Sequence, residues 1–211
     1  MKRSHILRDF NGTLLNNVEI GIESANILLT RHGIKPLNNI DEYRKVFCFP
    51  IIEYYKNLGF NFDKTPYEDL ALEWVEIYNS ISHKAMLYDN ADNALSFIKE
   101  SGVPQFILSA TEKTMLHRQA QELKISEYFD DILGTGDIYA YSKKDIAVAW
   151  KNKVLPQRAL LIGDTVHDAE VAEAAGFDCI LIANGHENKE KLLKSGVIII
   201  DSINDIFDFL K

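Results

Sequence analysis

Short, continuous apolar runs recur along the chain and predict strands that are buried on both faces of a sheet. These candidate strands are His5 to Leu7, Gln105 to Ser109, Asp131 to Leu133, Ala159 to Ile162, Cys179 to Ile182 and Val197 to Ile200. Amphipathic stretches lie between them, and three stretches (90–101, 168–175 and 188–195) are followed by a glycine that can adopt the left-handed conformation after a helix. The pattern predicts an α/β fold with a Rossmann-like, doubly wound parallel sheet.

Residues 16–86 break this alternation, because they carry helix signals with no strand between them. Apolar residues recur at helical spacing from Val18 to Leu29, ahead of Gly33, and shorter helices are predicted at 41–48 and 51–58. We therefore predict a helical cap over 16–86, inserted into a core made of 1–15 and 87–211. Such an insertion would lie over the carboxyl ends of the strands, where open α/β sheets bind their ligands.

The start of the last cap helix carries two local signals. Thr65-Pro66-Tyr67-Glu68 has the spacing of a capping box and places proline at the first helical position. Apolar residues then mark one face of a helix, at Leu70, Trp74, Ile77 and Ile81. The expected helix therefore begins with Thr65 as its N-cap.

Composition and charge narrow the class of protein. The 211 residues are 46% hydrophobic and 26% charged, as in an ordinary packed globular chain. The net charge of −8, without a long basic run, argues against nucleic acid and membrane surfaces as partners. The apolar run near the N-terminus is too short for a signal peptide, so a soluble cytoplasmic protein is expected, either monomer or homodimer. Cys48 and Cys179 are expected to be buried free thiols.

Two acidic clusters suggest chemistry at strand ends. Asp9 ends the first predicted strand and is followed by Phe10-Asn11-Gly12-Thr13, which by itself is also a common turn. Asp164 ends a buried strand, and Asp168 follows at the start of a helix. Two such carboxylates can converge on a hard cation such as Mg²⁺, or they can be a helix N-cap with a first-turn acid.

Two weaker signals lie between these clusters: Ser109 at a predicted strand end and Lys143 in Tyr141-Ser142-Lys143-Lys144, which opens a helix. In this order along the chain, the aspartate, serine, lysine and paired aspartates resemble the haloacid dehalogenase-like (HAD) superfamily of phosphohydrolases. The resemblance covers essentially the whole chain. The insertion resembles the helical, C1-type cap of its phosphoglycolate phosphatase-like members.

The resemblance implies a Mg²⁺-dependent phosphatase of small phosphorylated metabolites. Asp9 would attack phosphorus to form an aspartyl-phosphate. Ser109 would donate a hydrogen bond to a phosphoryl oxygen, as would Thr13 or backbone N–H groups of the loop after Asp9. Lys143, with Lys144 left open as an alternative, would neutralise charge. The expected Mg²⁺ ligands are Asp9, the Asn11 backbone carbonyl, Asp164 and Asp168. Three carboxylates and a phosphate dianion sum to about −5, which Mg²⁺ and one lysine reduce to about −2.

Asn11 departs from the family pattern, which usually has an aspartate there as general acid and base. An amide cannot transfer a proton, so help worth about 10²–10⁴-fold should be missing. Three interpretations stay open: a substrate with a good leaving group, a substitute acid such as His186 or a cap side chain, or an inactivating substitution. Arg8 also departs from the usual apolar residue before the nucleophile.

Further alternatives concern the reaction and the cap. A catalytically weak or silent protein that binds a phosphorylated ligand is one, and a dehalogenase or a phosphonatase of the same fold is another. In the cap, Arg44 is a candidate contact for a substrate carboxylate or second phosphate, or else part of a solvated helix face. His186 either borders the site or is an exposed loop histidine.

Overall fold

A six-stranded parallel sheet forms the centre of the computed structural model, which describes residues 3–140 and 142–209. The strands in chain order are β1 (His5–Arg8), β2 (Leu15–Asn16), β3 (Met86–Leu87), β4 (Gln105–Glu112), β5 (Asp131–Thr135), β6 (Ala159–Gly163), β7 (Asp178–Ile182) and β8 (Ile198–Ile200). The order across the main sheet is β5-β4-β1-β6-β7-β8, and all neighbouring strands are parallel. The predicted α/β fold and all six predicted strands are confirmed.

Two features of the strands differ from the prediction. β4 continues to Glu112 with a register irregularity after Leu108, so that Ser109 lies inside this strand and not at its end. In addition, β2 and β3 pair with each other in an antiparallel ribbon that the sequence analysis missed. Strands of two residues are too short to show a period in the sequence.

Helices surround the sheet, and the first four of them lie within residues 18–81. They are α1 (Val18–Arg31), α2 (Ile40–Val46), α3 (Ile51–Asn57), α4 (Tyr67–Ile81), α5 (Ala91–Glu100), α6 (Lys113–Glu122), α7 (Lys144–Val154), α8 (Val166–Ala175) and α9 (Lys189–Leu192). The predicted capping box at Thr65 is wrong: α4 begins one residue later than expected, with Pro66 at the N-cap position and no side-chain cap. Helix α9 is shorter than expected and continues as a 3₁₀ turn over Leu193–Ser195.

Buried apolar side chains form three clusters. One lies on the face of the sheet covered by α5 and α6, and includes Ile107 and Ile162; another lies on the opposite face, against α7 and α8, and includes Leu161. The third lies among α1 to α4 and is rich in tyrosine and phenylalanine. The residues predicted as a helical cap therefore bury an apolar cluster of their own.

The remaining points concern the residues that the structure does not describe, the two cysteines and membrane-spanning helices. The residues outside the described ranges are Met1, Lys2, Tyr141, Leu210 and Lys211. Both cysteines are free, but each is partly exposed and not buried as expected. None of the described helices combines the length and apolar character needed to span a bilayer.

Candidate active site

Three buried carboxylates meet where β1 and β6 end. Asp9 follows β1, Asp164 follows β6, and Asp168 lies in the first turn of α8. Each carboxylate offers an oxygen within 4.8 Å of the others. Because β1 and β6 are parallel neighbours in the sheet, their carboxyl ends lie at the same edge. The predicted convergence of the two acidic motifs is therefore observed.

Among the residues that the structure describes, Lys143 is the cation that contacts this acidic cluster. Its Nζ atom lies 2.5 Å from Asp9 Oδ1 and 2.7 Å from Asp168 Oδ1, and it donates a hydrogen bond to the Leu108 carbonyl at 3.0 Å. The lysine is 2% exposed and immediately precedes α7, whereas Lys144 is the first residue of that helix and is only partly buried. The geometry therefore distinguishes the two neighbouring lysines that the sequence left open.

Burial and charge shift the pKa values of these groups in different directions. Burial raises the pKa of Asp9 to about 6, although Lys143 opposes the shift. Burial, and then the charges of Asp9 and Asp168, raise the pKa of Asp164 well above its usual range. Burial alone would also raise the pKa of Asp168, but its ion pair and hydrogen bond with Lys143 leave that pKa lowered. Asp168 is thus the carboxylate that Lys143 stabilises best.

Asp168 also stabilises the loop that follows β6. Its Oδ2 atom accepts hydrogen bonds from the backbone N–H groups of Asp164 (3.2 Å) and Thr165 (3.0 Å) and from the Thr165 hydroxyl (2.6 Å). Thr165 and Asp168 form a capping box at the start of α8. The helix-cap interpretation of Asp168 is therefore confirmed, and because only Oδ2 is used in the cap, Oδ1 is left to face Lys143; metal binding by this residue stays a prediction.

Asp164 is held by one backbone donor and one side-chain donor, and backbone at two glycines approaches it closely. Its Oδ2 atom accepts a hydrogen bond from the His186 backbone N–H at 2.7 Å, and its Oδ1 atom accepts one from the Thr13 hydroxyl at 3.1 Å. A Cβ atom on Gly12 (φ +73°) or on Gly185 would overlap the carboxylate. The Thr13 hydroxyl is therefore used to orient Asp164, and its predicted hydrogen bond to a phosphoryl oxygen stays a prediction.

The Asn11 side chain belongs to a network that the sequence analysis missed. Its Nδ2 atom donates to Thr111 Oγ1 at 2.8 Å, and its Oδ1 atom accepts from Asn17 Nδ2 at 2.9 Å. The Ser109 hydroxyl donates to the same Thr111 oxygen at 3.1 Å. One signal could have identified Thr111: residues two apart on a strand share a face, and Thr111 follows Ser109 by two.

His186 is a buried member of the same network and not an exposed loop residue. It is 6% exposed, and its ring lies between the Tyr43 hydroxyl (2.7 Å from Nδ1) and Asn17 Oδ1 (3.1 Å from Nε2). Burial, together with the Arg44 charge, lowers the pKa of His186 to about 3. A neutral ring that donates from Nε2 and accepts at Nδ1 satisfies both contacts. His186 therefore borders the site, but it carries no readily released proton at neutral pH.

Arg44 links the helical segment to a loop of the sheet. Its Nε atom donates to the Gly185 carbonyl at 2.9 Å and its Nη2 atom to the Asn184 carbonyl at 2.6 Å. The residue does not line the cavity described below. The partly exposed Arg44 guanidinium therefore contacts protein backbone outside the cavity, and its predicted contact with a substrate anion stays a prediction.

Arg8 directly precedes Asp9 and is 1% exposed. Its three guanidinium nitrogens have no hydrogen-bond partner among the described residues. On β1 it pairs with Ile107 of β4 and Ile162 of β6, in the middle of the sheet. Burial lowers the pKa of Arg8 to about 9. The side chain is a buried charge without compensation, and nothing in the structure gives it a part in the site.

The donor set at the end of β1 and β6 fits a divalent cation. With all groups ionised, the three carboxylates and Lys143 leave two net negative charges in a buried cluster. Oxygen ligands of this kind are those that Mg²⁺ prefers. The pKa values of Asp9 and Asp164 are raised mainly by burial, and the charges of the neighbouring carboxylates add to both shifts.

A cavity of about 140 Å³ opens beside Asp9, between the sheet and the helices α1 to α4. From the sheet side, its lining includes Asp9, Asn11, Ser109, Thr111, Glu112, Met115, Asp164 and His186. From the helical side, its lining includes Asn17, Tyr43, Phe47, Phe49, Tyr54, Tyr55, Tyr67, Ala71, Trp74, Val75 and Tyr78. The acidic cluster therefore has access to a space of the size of a small molecule.

Proteins with this fold are known. Solved structures include a haloacid dehalogenase-like family protein from Streptococcus pneumoniae and a predicted phosphatase from Clostridium acetobutylicum. Each has a TM-score of 0.85 at 20% identity; the first match covers 99% of both chains, and the second covers 100% of this chain and 99% of the other.

Among sequence relatives, the phosphoglycolate phosphatase of Nitrosococcus oceani is 25% identical, over 97% of this chain and 95% of that protein. The phosphoglycolate phosphatase of Pseudomonas fluorescens is 23% identical, over 95% of this chain and 77% of that protein. The sequence model of a whole family also matches residues 6–182, and by this match the chain belongs to the haloacid dehalogenase-like hydrolases.

Proposed function

We propose that this hydrolase is a Mg²⁺-dependent phosphatase of small phosphate monoesters, acting through an aspartyl-phosphate on Asp9. One observation carries the proposal: Asp9 lines the cavity while its carboxylate contacts Lys143 and lies in a cluster with Asp164 and Asp168. An anionic nucleophile can approach an anionic phosphate only where positive charge is concentrated. The relatives that are phosphoglycolate phosphatases support phosphate ester chemistry.

The residues divide the work as follows. Asp9, Asp164, Asp168 and the Asn11 backbone carbonyl would hold Mg²⁺, which supplies positive charge and polarises the phosphoryl group. Lys143 orients Asp9 through the contact at 2.5 Å. The Asp9 carboxylate attacks phosphorus, the ester oxygen leaves with its electron pair, and water then hydrolyses the acyl phosphate. Ser109, buried at the cavity wall, would donate its hydroxyl hydrogen to a phosphoryl oxygen in exchange for the hydrogen bond that it gives to Thr111 in the ligand-free site.

The helical segment 16–86 serves as a cap in this proposal. Its aromatic side chains line the cavity that Asp9 and Asp164 of the acidic cluster also border. Contacts between α2 and the 184–185 loop, made by Arg44, keep this wall in place over the sheet. A closed cavity excludes water from the reacting phosphate and strengthens the electrostatic interactions around it.

The rival reactions have less support. A phosphonatase needs a lysine in the cap to form a Schiff base, and no lysine is found among the described residues that line the cavity. A dehalogenase would need no metal, which leaves the convergence of Asp164 and Asp168 on Asp9 without a role. A silent ligand-binding protein is an outcome of the experiment below.

The test combines phosphate release with detection of the intermediate. The purified chain is incubated with acetyl phosphate or p-nitrophenyl phosphate, with Mg²⁺ or with a chelator. We expect phosphate release only with Mg²⁺, and an acid-stable, hydroxylamine-labile phosphoryl group on the wild type but not on Asp9→Asn. Tight binding of phosphate analogues without labelling or turnover would indicate a silent binding protein and overturn the proposal.

A further inference from the structure

The wall of the cavity is dominated by aromatic rings. Among the described residues, eight phenylalanine, tyrosine and tryptophan side chains line it: Tyr43, Phe47, Phe49, Tyr54, Tyr55, Tyr67, Trp74 and Tyr78. Several of their hydroxyl groups are already hydrogen-bonded within the protein, to His186, to the Tyr139 carbonyl and to Asn17. These residues therefore offer ring faces and edges to a ligand, and few free polar groups.

No lysine or arginine belongs to the described lining of this cavity. Its charged members are Asp9 and Asp164 at the acidic cluster and Glu112, whose carboxylate accepts hydrogen bonds from the first turn of α6. Arg44, the cationic cap residue that the sequence suggested, donates to backbone carbonyls outside the cavity. A carboxylate or second phosphate on the substrate would be buried here without a partner, which costs several kcal/mol.

The size of the cavity limits what can fill it. Its volume is about 140 Å³. A cavity of about 150 Å³ lined by apolar side chains holds one benzene molecule. Aromatic rings prefer offset or edge-to-face contacts with other rings, and the walls offer both ring faces and ring edges. One six-membered ring therefore matches the space, and a fused pair of rings exceeds it.

The amide of Asn11 adds a chemical argument that is independent of the walls. Without a general acid, the leaving oxygen must depart as an anion. A phenol has a pKa of about 10, whereas an alkyl hydroxyl resembles water at about 16, so phenoxide leaves far more readily. The residue at the acid position and the composition of the walls therefore select the same kind of substrate.

We propose that the substrate is the phosphate monoester of an uncharged, single-ring phenol. This inference rests on the proposed phosphatase function. The ring occupies the aromatic cavity while its phosphate lies at Asp9. A carboxylate oxygen of Asp9 forms the new bond to phosphorus as the bond from phosphorus to the phenolic oxygen breaks. The phenoxide keeps the electron pair and takes a proton from water after it leaves.

The first experiment compares kcat/KM for four esters with Mg²⁺. Phenyl phosphate is the test substrate, and hexafluoroisopropyl phosphate is its control, because that alcohol is about as acidic as phenol but has no ring. 4-Carboxyphenyl phosphate adds a negative charge to the ring, and 2-phosphoglycolate is small and anionic. We expect kcat/KM for phenyl phosphate to exceed that for each of the other esters by at least 10-fold. This ratio corresponds to about 1.4 kcal/mol of activation free energy.

A binding measurement gives a readout that does not depend on turnover. Trp74 lines the cavity, so its emission should respond to a ligand there. Phenylphosphonate should bind at least 10-fold more tightly than phosphonoacetate, which carries a carboxylate in place of the ring. Equal binding, or tighter binding of phosphonoacetate, would overturn the proposed substrate class.

Cavity-filling variants test the location. Ala71→Leu and Val75→Phe place extra volume in the cavity, and Val75, being only half-buried, tolerates substitution if Ala71→Leu fails to fold. Both should lower kcat/KM for phenyl phosphate at least 10-fold, and this loss should be at least 3-fold larger than any loss in the labelling of Asp9 by acetyl phosphate. The matched control is Leu72→Phe, on the exposed side of the same helix at 57% exposure, which should change neither.

The outcomes distinguish a failure of the proposed substrate class from a failure of the proposed phosphatase function. If acetyl phosphate labels Asp9 but phenyl phosphate has no advantage, or if the filling variants reduce both reactions equally, the substrate class is wrong and the phosphatase function stands. If neither acetyl phosphate nor any ester reacts, the phosphatase function fails, and the substrate class with it.

Discussion

Asn11 Nδ2 donates a hydrogen bond to Thr111 Oγ1 at 2.8 Å, so an amide that cannot transfer a proton is held firmly at the position where the family usually has its acid. The other end of the amide accepts from Asn17. Hydrogen bonds at both the nitrogen and the oxygen therefore fix the orientation of the Asn11 amide in the site. The position of this amide also predicts the effect of an aspartate at residue 11 on proton transfer.

The variant Asn11→Asp should restore proton transfer. We expect kcat/KM for an alkyl phosphate to rise at least 10-fold and that for p-nitrophenyl phosphate to rise less, because general acid help is worth about 10²–10⁴-fold only where the leaving group needs it. Stopped-flow measurements should also show that the phosphoenzyme decays faster. An unchanged rate on alkyl esters would indicate that another group already supplies the proton.

Replacement of Lys143 should affect both stability and activity. Lys143→Met leaves Asp9 and Asp168 without their cation, and removing one partner of a buried ion pair costs about 3–5 kcal/mol. We expect a fall in kcat/KM of at least 10³-fold and, in chelator, a lower midpoint of urea unfolding. Lys144→Met is the matched control, and its free energy of unfolding should stay within about 0.5 kcal/mol of that of the wild type. Equal effects of the two variants would contradict the assignment.

The metal-free protein should become less stable as the pH rises through the acidic range. Burial raises the pKa of Asp9 to about 6, above its usual value of 3.8, so the folded state binds a proton that the unfolded state releases. Stability therefore falls between about pH 4 and pH 6, by up to about 3 kcal/mol from this group. Thermal unfolding in chelator should show this slope, and saturating Mg²⁺ should remove it.

The variants Asp9→Asn and Asp168→Asn should shift stability in opposite directions at pH 8 in chelator. Asp9→Asn removes a carboxylate whose charge is disfavoured and should raise the midpoint of unfolding. Asp168→Asn removes the carboxylate whose pKa is lowered, chiefly by Lys143, and also weakens the cap of α8, so it should lower the midpoint. Shifts of the same sign would show that the charge distribution described here is incorrect.

Substitution of Arg44 should affect all substrates alike. Arg44→Gln removes two charge-assisted hydrogen bonds to the 184–185 loop, each worth about 1.5–3 kcal/mol when buried. We expect a loss of about 5–10-fold in kcat/KM for neutral and anionic esters together, through a less closed cap. Lys45→Gln, at the exposed neighbour, is the control. A loss confined to anionic esters would place Arg44 at the substrate instead.

Replacement of Arg8 should stabilise the protein. Its guanidinium is buried without a hydrogen-bond partner among the described residues, and burial lowers its pKa to about 9. At pH 7 the buried charge is retained, so Arg8→Met should raise the free energy of unfolding by about 2–5 kcal/mol. Urea unfolding measures this difference. A destabilised variant would mean that Arg8 has a partner in solution.

The sequence by itself determined the sheet and the acidic cluster. Strands buried on both faces must be apolar throughout, so runs such as Leu160 to Ile162 were visible without a structure, and residues at the carboxyl ends of parallel strands necessarily share an edge. Asp9 and Asp164 could therefore be placed at one edge of the sheet, whereas grouping them with Asp168 as ligands of one metal ion rested on the resemblance to the haloacid dehalogenase-like superfamily.

Only the tertiary structure decided which way the polar side chains turn. Thr13 faces Asp164, Arg44 faces a loop carbonyl, and His186 is enclosed between Tyr43 and Asn17. A hydrogen-bond partner far away in the chain leaves no period or spacing in the sequence. The aromatic lining of the cavity was hidden for the same reason, because helical spacing indicates that a residue is buried but not what it is buried against.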